Sequence, residues 1–496
     1  MTRIAPSAHS VLSHPDRFYI DGEWVRGSSD ALIDVIDSNT ESLFYQVAEA
    51  RAADIARAVE AARAAFDRGP WPRMTHAQRG EYVRAMAEEL RGRSETLSEI
   101  WPRESGQLIK LARTGAATAA GTLDFYGRLA DTYAWEEVVT PSSGTGFGLV
   151  VHEPVGTVAA IVPWNSPIMS ALRKIAPALV AGCTTVLKAA PEAPGAPYLI
   201  AEVADAVGLP RGVLNVVTAD REASEELVRD PRIDKVSFTG STAVGRRIGM
   251  IMADRVGRCT LELGGKSAAV ILDDADLAAA AESIATTECR LAGQVCSALT
   301  RIVVTRSRHD EFVEALGAAF AAKRVGDAFD ESTQVGPLAS AKQLRRVEHY
   351  VEVGRSEGAR LVTGGGRPSG LDRGYFVEPT VFGGVHNSST IASEEIFGPV
   401  LSVIPARDED DAVRIANDSR YGLNASVFTT DVDRARGVAG RLRTGTVGHN
   451  ADRIDFGIGF GGFKQSGIGR EGGLLGILPY LEAKTVLLDG PPAEYR

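Results

Sequence analysis

Two short stretches contain the residues best suited to chemistry: residues 260–266, which include Glu262, and residues 293–297, which include Cys296. A thiol is a strong nucleophile only as the thiolate, and a carboxylate among apolar residues can have its pKa raised enough to act as a base near neutral pH. This pair suits covalent chemistry on a carbonyl, in which Cys296 attacks and Glu262 activates a hydrolytic water. The alternative is a buried cysteine and an unrelated surface glutamate, because free cysteine usually behaves as a small hydrophobic residue.

The composition limits the class of protein. A chain of 496 residues with 44% hydrophobic and 24% charged residues is typical of a globular protein with more than one domain. The net charge of −10 is dispersed, so we expect no nucleic-acid and no membrane surface. The four cysteines have no CxxC spacing, which predicts no metal site, no disulfide framework and a reducing, cytoplasmic location. Residues 1–16 lack the apolar core of a signal peptide.

From residue 156 onward, short apolar runs alternate with helical segments, which is typical of βαβ units and a mostly parallel sheet. Strands are predicted at residues 158–162, 185–187, 214–217 and 236–238, and helices at 167–180, 194–207, 222–229 and 243–253. A second such segment follows residue 266, with strands predicted at 302–304, 360–362, 400–404 and 425–428 and helices at 277–288, 309–322, 409–416 and 433–442. Ligands of such sheets bind at the carboxyl ends of the strands.

The stretch from Phe238 to Gly245 follows one of these strand ends and begins a helix. Free N–H groups and the helix dipole favour a phosphate at such a place. Thr242 replaces the second glycine of the usual dinucleotide fingerprint, so the pattern alone is a weak signal and a plain helix cap is its more common explanation. Lys188, at another strand end, either bonds a ribose hydroxyl or is solvated.

Outside these segments the sequence predicts packing elements. Residues 18–25 predict a hairpin that turns at Asp21 and Gly22, and Asp54 is expected to cap the first helix. Residues 136–151 predict a projecting hairpin, which is either an oligomerisation arm or a simple surface hairpin. Residues 484–488 predict a last strand that pairs with this hairpin or with a neighbouring subunit.

Taken together, residues 163–165, 238–245, 262–266, 293–296, 394–400 and 461–471 resemble the aldehyde dehydrogenase superfamily, in its NAD(P)-dependent, hydrolytic branch that does not acylate coenzyme A. The resemblance implies an α/β fold of two α/β domains with mostly parallel sheets and a small β oligomerisation arm. It implies a dinucleotide-binding domain from residues 1–132 and 154–264, a catalytic domain from 265–464, and an arm from 133–153 and 478–496.

The resemblance also implies roles for the matching residues. Cys296 is the nucleophile, Glu262 the base that hydrolyses a thioester, and the Asn165 amide an oxyanion donor. The implied cofactor contacts are Val162, Pro163, Trp164, Lys188, Phe238, Gly240, Ser241, Val244, Gly245, Leu263, Glu395 and Phe397. Lys174 and Glu471 match positions near Glu262 that suit a proton relay.

The predicted cofactor is NAD, with NADP as the alternative. Relatives that prefer NAD often carry a glutamate three residues after the lysine, where this chain has Pro191, so Glu192 is the candidate replacement. Ala189 replaces the usual proline as well. Asp220 would repel a 2′-phosphate if its carboxylate faces the ribose.

The substrate tunnel is predicted to contain Met169, Arg173, Asp455 and Phe460. Its apolar members favour a hydrophobic or aromatic aldehyde. The alternative is a semialdehyde, because the Arg173 guanidinium can bind a carboxylate with two hydrogen bonds. A third interpretation gives Arg173 a structural salt bridge with Asp452 or Asp455.

Two other classes of function are consistent with part of the pattern: a non-catalytic binding protein of the same fold, and a cysteine-dependent hydrolase that needs no cofactor. The intact set of Cys296, Glu262 and Asn165 argues against the binding protein. The resemblance implies a homodimer or homotetramer that acts on a small-molecule aldehyde.

Overall fold

The computed structural model describes residues 11–496. Most of residues 1–16, for which the sequence predicts no signal peptide, therefore lie outside the described residues. The strands, numbered along the chain, are β1 (Arg17–Ile20), β2 (Glu23–Arg26), β3 (Leu32–Ile36), β4 (Leu43–Ala48), β5 (Glu136–Val139), β6 (Phe147–Pro154), β7 (Thr157–Ile161), β8 (Thr184–Ala189), β9 (Leu214–Thr218), β10 (Lys235–Thr239), β11 (Arg258–Glu262), β12 (Ala268–Ile271), β13 (Arg301–Thr305), β14 (Arg360–Thr363), β15 (Thr380–Gly383), β16 (Val400–Ala406), β17 (Asn424–Phe428), β18 (Thr446–His449), β19 (Gly467–Ile468) and β20 (Leu481–Leu488). The α-helices are α1 (Ala52–Asp67), α2 (His76–Arg91), α3 (Ser94–Ser105), α4 (Ile109–Thr132), α5 (Pro167–Ala181), α6 (Gly195–Ala206), α7 (Arg221–Arg229), α8 (Thr242–Asp254), α9 (Leu277–Glu288), α10 (His309–Ala321), α11 (Ala341–Ser356), α12 (Thr390–Ser393), α13 (Glu409–Asn417) and α14 (Val432–Ala439).

The first large sheet has eight strands in the order β19-β11-β10-β7-β8-β9-β1-β2. Its five central strands, β11 to β9 in that order, are parallel. Helices α2, α4, α5 and α6 pack on one face, and α1, α7 and α8 pack on the other. Because both faces are covered, β7 and β8 are buried along their whole length and are apolar runs rather than alternating patterns.

The second large sheet has seven strands in the order β14-β15-β16-β13-β12-β17-β18, and all its pairs are parallel except β14 with β15. Helices α9, α10, α11, α13 and α14 contribute to its core. The predicted α/β class is confirmed, and the strands and helices predicted from residue 156 to 253 are all present, with small differences at their ends.

The two large sheets are joined through the segment that links β11 to β12. Leu263 donates its N–H to the carbonyl of Ser466 at 2.9 Å, and the Ser466 hydroxyl donates to the carbonyl of Gly264 at 2.8 Å. β19 then adds to β11 at the edge of the first sheet. The C-terminal glycine-rich segment therefore returns from the second sheet to the first.

A third, small sheet contains β20, β6 and β5 in that order, all antiparallel. β20 pairs with β6 over its full length, from Leu481 with Pro154 to Leu488 with Phe147. The last strand thus pairs with the predicted hairpin of its own chain. The proposed domain division and the role of this sheet as an oligomerisation arm remain predictions.

Some local predictions differ from the structure. Asp54 does not precede the first helix: Arg51 holds the cap position, and the Asp54 carboxylate, inside the first turn, accepts the Arg51 N–H at 2.9 Å. The long helices α4 and α11 were not predicted, and neither were β12, β15 and β18. Within residues 11–496, no helix has both the length and the apolar character needed to cross a bilayer.

Candidate active site

Two cavities meet beside Cys296, where β11 of the first sheet approaches the loop before β13 of the second. The wide cavity has a volume of about 450 Å³, and the narrow cavity has a volume of about 290 Å³. Asn165, Thr239, Glu262 and Cys296 line both cavities. A molecule bound in either cavity therefore reaches the same thiol and the same carboxylate.

A tight left-handed turn presents Cys296. After α9 the backbone has positive φ at Leu291 (48°), Ala292 (49°) and Gly293 (70°). A Cβ atom on Gly293 would lie 2.5 Å from the carbonyl carbon of Gly398, so this position needs glycine for space as well as for conformation. The turn reverses the chain and places the half-buried Cys296 at the junction of the cavities.

The surroundings of Cys296 disfavour the thiolate. Burial raises the pKa of the Cys296 thiol to about 12, and the carboxylates of Glu395 and Glu262 add to the rise. The Arg173 guanidinium lowers the same pKa. The thiol is therefore protonated at neutral pH, and its reaction as a nucleophile requires a group that accepts its proton.

Glu262, the last residue of β11, is only 3% exposed. Neither of its carboxylate oxygens has a hydrogen-bond partner within the part of the chain that the structure describes. Burial and then the neighbouring Glu471 raise the pKa of Glu262 well above its usual range, against the effect of nearby cations such as Lys174. A buried, unpartnered carboxyl with a raised pKa is suited to accept a proton near neutral pH.

A buried ion pair lies beside Glu262. The Lys174 ammonium donates to the Glu471 carboxylate and, at 2.7 Å, to the Thr239 hydroxyl. The structure thus brings together the two residues predicted to lie near Glu262. The ion pair is shielded from bulk water, because the Lys174 side chain is 0% exposed and that of Glu471 is 6% exposed.

The Asn165 amide faces the cysteine loop. Its Nδ2 donates to the carbonyl oxygen of Gln294 at 2.8 Å, and this residue precedes Cys296 by two positions. The Trp101 indole N–H donates to the Asn165 carbonyl at 3.3 Å and holds the backbone on the other side. One Nδ2 hydrogen is used by Gln294, so the second is available to a ligand in the cavity.

Seven of the twelve predicted cofactor contacts line the narrow cavity: Pro163, Trp164, Gly240, Ser241, Leu263, Glu395 and Phe397. The N-terminus of α8 opens toward it at Gly240 and Ser241. The Ser241 hydroxyl also accepts the N–H of Val244 at 3.4 Å, so the helix cap and the anion site predicted here are compatible.

The other five, Val162, Lys188, Phe238, Val244 and Gly245, are not part of that lining. Phe238 and Gly245 lie behind the lining and contact residues that form it. A Cβ atom on Gly240 would lie 2.5 Å from the Phe238 ring, and one on Gly245 would lie 2.3 Å from a Leu263 methyl carbon. Val162 is buried in the core of the first sheet and Val244 is exposed on α8, which explains why neither side chain faces the cavity.

Glu395 and Phe397 close one end of the narrow cavity. The Glu395 carboxylate accepts the Gly265 N–H at 3.0 Å, and burial raises the pKa of Glu395 to about 7. Phe397 has a left-handed φ of 63°, and its ring meets that of Trp164 edge-on at 5.4 Å between centroids. The Gln343 amide donates to the Phe397 carbonyl at 2.6 Å, so α11 fixes this strained position.

The acidic residues near Lys188 have different roles. Burial lowers the pKa of Lys188 to about 8, while Glu192 and Asp220 oppose this shift. Glu192 lines the narrow cavity. Asp220 instead caps α7, where its carboxylate accepts the N–H of Ala223 at 2.9 Å. Of the two acids near Lys188, Glu192 is therefore the one that a ligand in the narrow cavity meets.

Met169, Arg173 and Phe460 line the wide cavity as predicted for the tunnel. Asp455 does not: its carboxylate accepts the N–H of Gly457 at 2.7 Å in an exposed turn, a local hydrogen bond that turns it away. Asp452 occupies the wall instead.

The Arg173 guanidinium stacks on an aromatic ring, with its central carbon 3.1 Å from the centroid of Phe456. Within residues 11–496 Arg173 forms no ion pair, and its Nε has no hydrogen-bond partner. Asp452 is held elsewhere, by Arg290 at 3.5 Å and by the Asn424 amide at 2.8 Å. These contacts argue against the structural salt bridge proposed for Arg173.

Sequence reasoning missed several residues of this site. Glu288 lines the wide cavity, and burial beside Asp452 raises the pKa of Glu288 to about 8. Gln343 and Arg346 reach the narrow cavity from α11. No local sequence pattern predicted that the wall of the wide cavity is acidic, because Glu288 and Asp452 are far apart in the sequence.

The fold and site define a class of protein: an α/β protein with one cavity at the ends of parallel strands and a thiol where a second cavity joins it. The sequence model of the aldehyde dehydrogenase family matches residues 24–486. The chain is 44% identical over 473 residues to geranial dehydrogenase of Castellaniella defragrans, covering 95% of this chain and 98% of the relative. It is 42% identical over 475 residues to 3-succinoylsemialdehyde-pyridine dehydrogenase of a Pseudomonas species, covering 95% and 98%.

Among solved structures, the chain is similar to an aldehyde dehydrogenase of Mycobacterium tuberculosis complexed with NAD⁺, with a TM-score of 0.93 and 47% identity over 97% of this chain and 99% of that one. The chain belongs to the aldehyde dehydrogenase family. It is therefore an NAD(P)-dependent enzyme that oxidises an aldehyde to the carboxylic acid.

Proposed function

We propose that Cys296, Glu262 and Asn165 carry out this oxidation, with NAD in the narrow cavity and the aldehyde in the wide one. The observation that supports this most strongly is their meeting point. The three residues come from different parts of the chain, yet all three line both cavities.

The residues of the narrow cavity fit a dinucleotide. The start of α8 offers free N–H groups to a pyrophosphate, and Gly240 and Gly245 leave no room for a Cβ atom. Glu395 is placed to bind a ribose hydroxyl, with Phe397 packing nearby. When bound, the nicotinamide supplies the oxidant, because it accepts a hydride from the carbon under attack.

In the first half of the reaction, Glu262 takes the proton of the Cys296 thiol and passes it to the Lys174–Glu471 pair, and the sulfur then attacks the aldehyde carbon. The negative charge that develops on the aldehyde oxygen is stabilised by the free Nδ2 hydrogen of Asn165 and the backbone N–H of Cys296. The resulting carbon carries the hydrogen that leaves as hydride, and a thioester of Cys296 remains.

In the second half, Glu262 takes a proton from water, and the hydroxide attacks the thioester carbon. The carbon–sulfur bond then breaks, and the leaving thiolate of Cys296 takes the proton of the new carboxylic acid, which departs as the carboxylate. Lys174 and Glu471 pass the proton from Glu262 onward through the buried contact with Thr239. A base of this kind places the enzyme in the hydrolytic branch of the family.

NAD is favoured over NADP by Glu192. Its carboxylate is the acidic group in the narrow-cavity wall near Lys188, and it would repel a 2′-phosphate. Asp220 is occupied as a helix cap and contributes less. Glu192→Gln should therefore narrow the preference for NAD over NADP, measured as the ratio of the two kcat/KM values.

The roles of the thiol and the carboxylate are tested with aldehyde and NAD by following the absorbance of reduced nicotinamide. Cys296→Ala should abolish the reduction, because no covalent intermediate forms. Glu262→Gln should yield one reduced nicotinamide per site and then stop, because the thioester is not hydrolysed. Reduction at the wild-type rate by Cys296→Ala would overturn the proposal. Ester cleavage without cofactor is expected of a simple hydrolase and also of a side activity of the dehydrogenase, so the loss of nicotinamide reduction is the deciding result.

For the substrate, we propose an aldehyde with an apolar or aromatic body. Met169, Ile454, Phe456 and Phe460 give the wide cavity an apolar wall close to Cys296. The relative named for geranial, an apolar aldehyde, supports the same choice.

A semialdehyde is the second candidate, because one observation favours it: the Arg173 guanidinium lies in the wall of the wide cavity without an ion pair in residues 11–496. The comparison is between an aromatic aldehyde and a short semialdehyde with a carboxylate. A preference for the first means that Arg173 is part of the wall. If the semialdehyde is preferred, Arg173→Leu should lose that substrate selectively, while the aromatic aldehyde serves as the internal control.

We also propose that the enzyme is a cytoplasmic homodimer or homotetramer, with the small sheet of β5, β6 and β20 at the interface. This sheet has two open edges and exposed apolar residues, among them Val138 at 58% and Leu487 at 67% exposure. Unpaired strand edges favour association with another chain.

A further inference from the structure

Gln294 has an unusual set of contacts for a residue that touches neither cavity. Its side chain is 0% exposed. The Nε2 atom donates to the carbonyl of Leu291 at 2.8 Å, and Oε1 accepts the N–H of Ala339 at 2.9 Å. Its backbone carbonyl accepts the Asn165 Nδ2 at 2.8 Å.

The first of these contacts closes the left-handed turn. Leu291 and Ala292 have positive φ although they carry a Cβ atom, a conformation that persists only when surrounding contacts enforce it. The carbonyl of Leu291 accepts two hydrogen bonds from Gln294, one from its backbone N–H at 3.0 Å and one from its side chain. The turn that presents Cys296 is thus tied to one side chain.

The second contact anchors the turn to another part of the fold. Ala339 precedes Ser340, the cap of α11. The same helix holds the wall of the narrow cavity through Gln343 and Phe397. Gln294 therefore fixes the cysteine loop relative to the element that also shapes the cofactor end of the site.

The third contact sets the direction of the oxyanion donor. An amide nitrogen has two hydrogens, and the Gln294 carbonyl fixes one of them, which determines where the other points. We propose that Gln294 is a positioning residue that places the Asn165 amide and the Cys296 loop together. This inference rests on the proposed roles of Cys296 and Asn165.

A double-mutant cycle tests whether Gln294 acts through Asn165. Gln294→Leu removes both side-chain hydrogen bonds at similar volume, and Asn165→Ala removes the oxyanion donor. We expect Gln294→Leu to lower kcat by about tenfold or more with little change in the KM for NAD, and the double variant to be within about threefold of Asn165→Ala alone. Losses that multiply in the double variant would overturn the proposal.

Gln294→Glu is the conservative variant, since it keeps an acceptor for the Ala339 N–H and loses the donor to Leu291. It should retain more kcat than Gln294→Leu. Should Gln294→Leu fail to fold, the same cycle is run with Gln294→Glu, and multiplying losses again overturn the proposal.

Asn215 provides the matched control for a merely structural role. Its buried side-chain amide also bridges two backbone groups, accepting the Asp21 N–H and donating to the Gly212 carbonyl, both at 2.9 Å. It lies on β9, away from the lining of both cavities. Asn215→Leu should lower the melting temperature while kcat below the transition is retained. An equal loss of kcat in Asn215→Leu and Gln294→Leu would mean that Gln294 is structural only.

The failure of this inference is distinguishable from failure of the proposed function. If the function is wrong, Cys296→Ala keeps its activity. If only the inference is wrong, Cys296→Ala is inactive while the effects of Gln294 and Asn165 are independent.

Discussion

At the scale of single residues, the site contains two groups whose charged forms are disfavoured by their surroundings. The thiol of Cys296 and the carboxyl of Glu262 both have raised pKa values, mainly because of burial. Arg173 is the nearby cation that lowers both. The Cys296 thiol therefore carries its proton in the free enzyme near neutral pH.

The raised thiol pKa predicts how Cys296 reacts with iodoacetamide in the cofactor-free enzyme. The thiolate fraction increases with pH up to the thiol pKa, so with a pKa of about 12 the alkylation rate should still be rising at about pH 10. Arg173→Leu should slow the reaction further, because it removes the cation that stabilises the thiolate. Background from the other cysteines is subtracted with Cys296→Ala. A plateau below about pH 9 would contradict the prediction.

At the scale of elements, close packing of α8 on the β11–β12 link forms the end of the narrow cavity where we propose that the pyrophosphate of NAD binds. Gly245 permits this approach, since a Cβ atom there would lie 2.3 Å from a Leu263 methyl carbon. Gly249, on the same helix, has its nearest contact at 3.9 Å, from Leu261. Alanine substitutions at Gly245 and at Gly249 therefore separate the effect of the steric contact from the effect of helix propensity.

Gly245→Ala should displace the start of α8 and weaken NAD binding by about tenfold, which corresponds to about 1.4 kcal/mol. Gly249→Ala should leave NAD binding unchanged and stabilise the fold by about 0.5–1 kcal/mol, because alanine is the better helix former. Calorimetric titration with NAD and thermal unfolding measure the two effects. Equal NAD affinity in both variants would show that the contact with Leu263 does not matter.

At the scale of the whole molecule, the candidate active site lies at the junction of two sheets, and the small sheet has two open edges that we propose form an interface with a second subunit. β5 is an edge strand, and Val138 on it is exposed. Replacing Val138 and Leu487 together with lysine should place charges in the proposed interface and shift the enzyme to a smaller assembly in light scattering. Val432→Lys, at a residue 67% exposed on α14, is the control and should leave the assembly unchanged. Retention of the wild-type mass by the double variant would place the interface elsewhere.

The sequence by itself predicted the alternating strands and helices of residues 156–253, and it singled out Cys296, Glu262 and Asn165 as candidate site residues. This was feasible because apolar periodicity is a local signal and the motifs around these residues are contiguous. The family assignment rested on the same motifs and was confirmed.

Only the tertiary structure showed which of the surrounding residues line a cavity and which lie behind its lining. In the structure, Asp455 lies in an exposed turn and Asp452 lines the wide cavity. Asp220 caps α7, and Glu192 lines the narrow cavity. The sequence held no sign of the contacts of Gln294 with Asn165 and Ala339, because these join segments distant in the chain. Side-chain direction and long-range contact depend on how the two sheets pack together, and local residue patterns do not encode that packing.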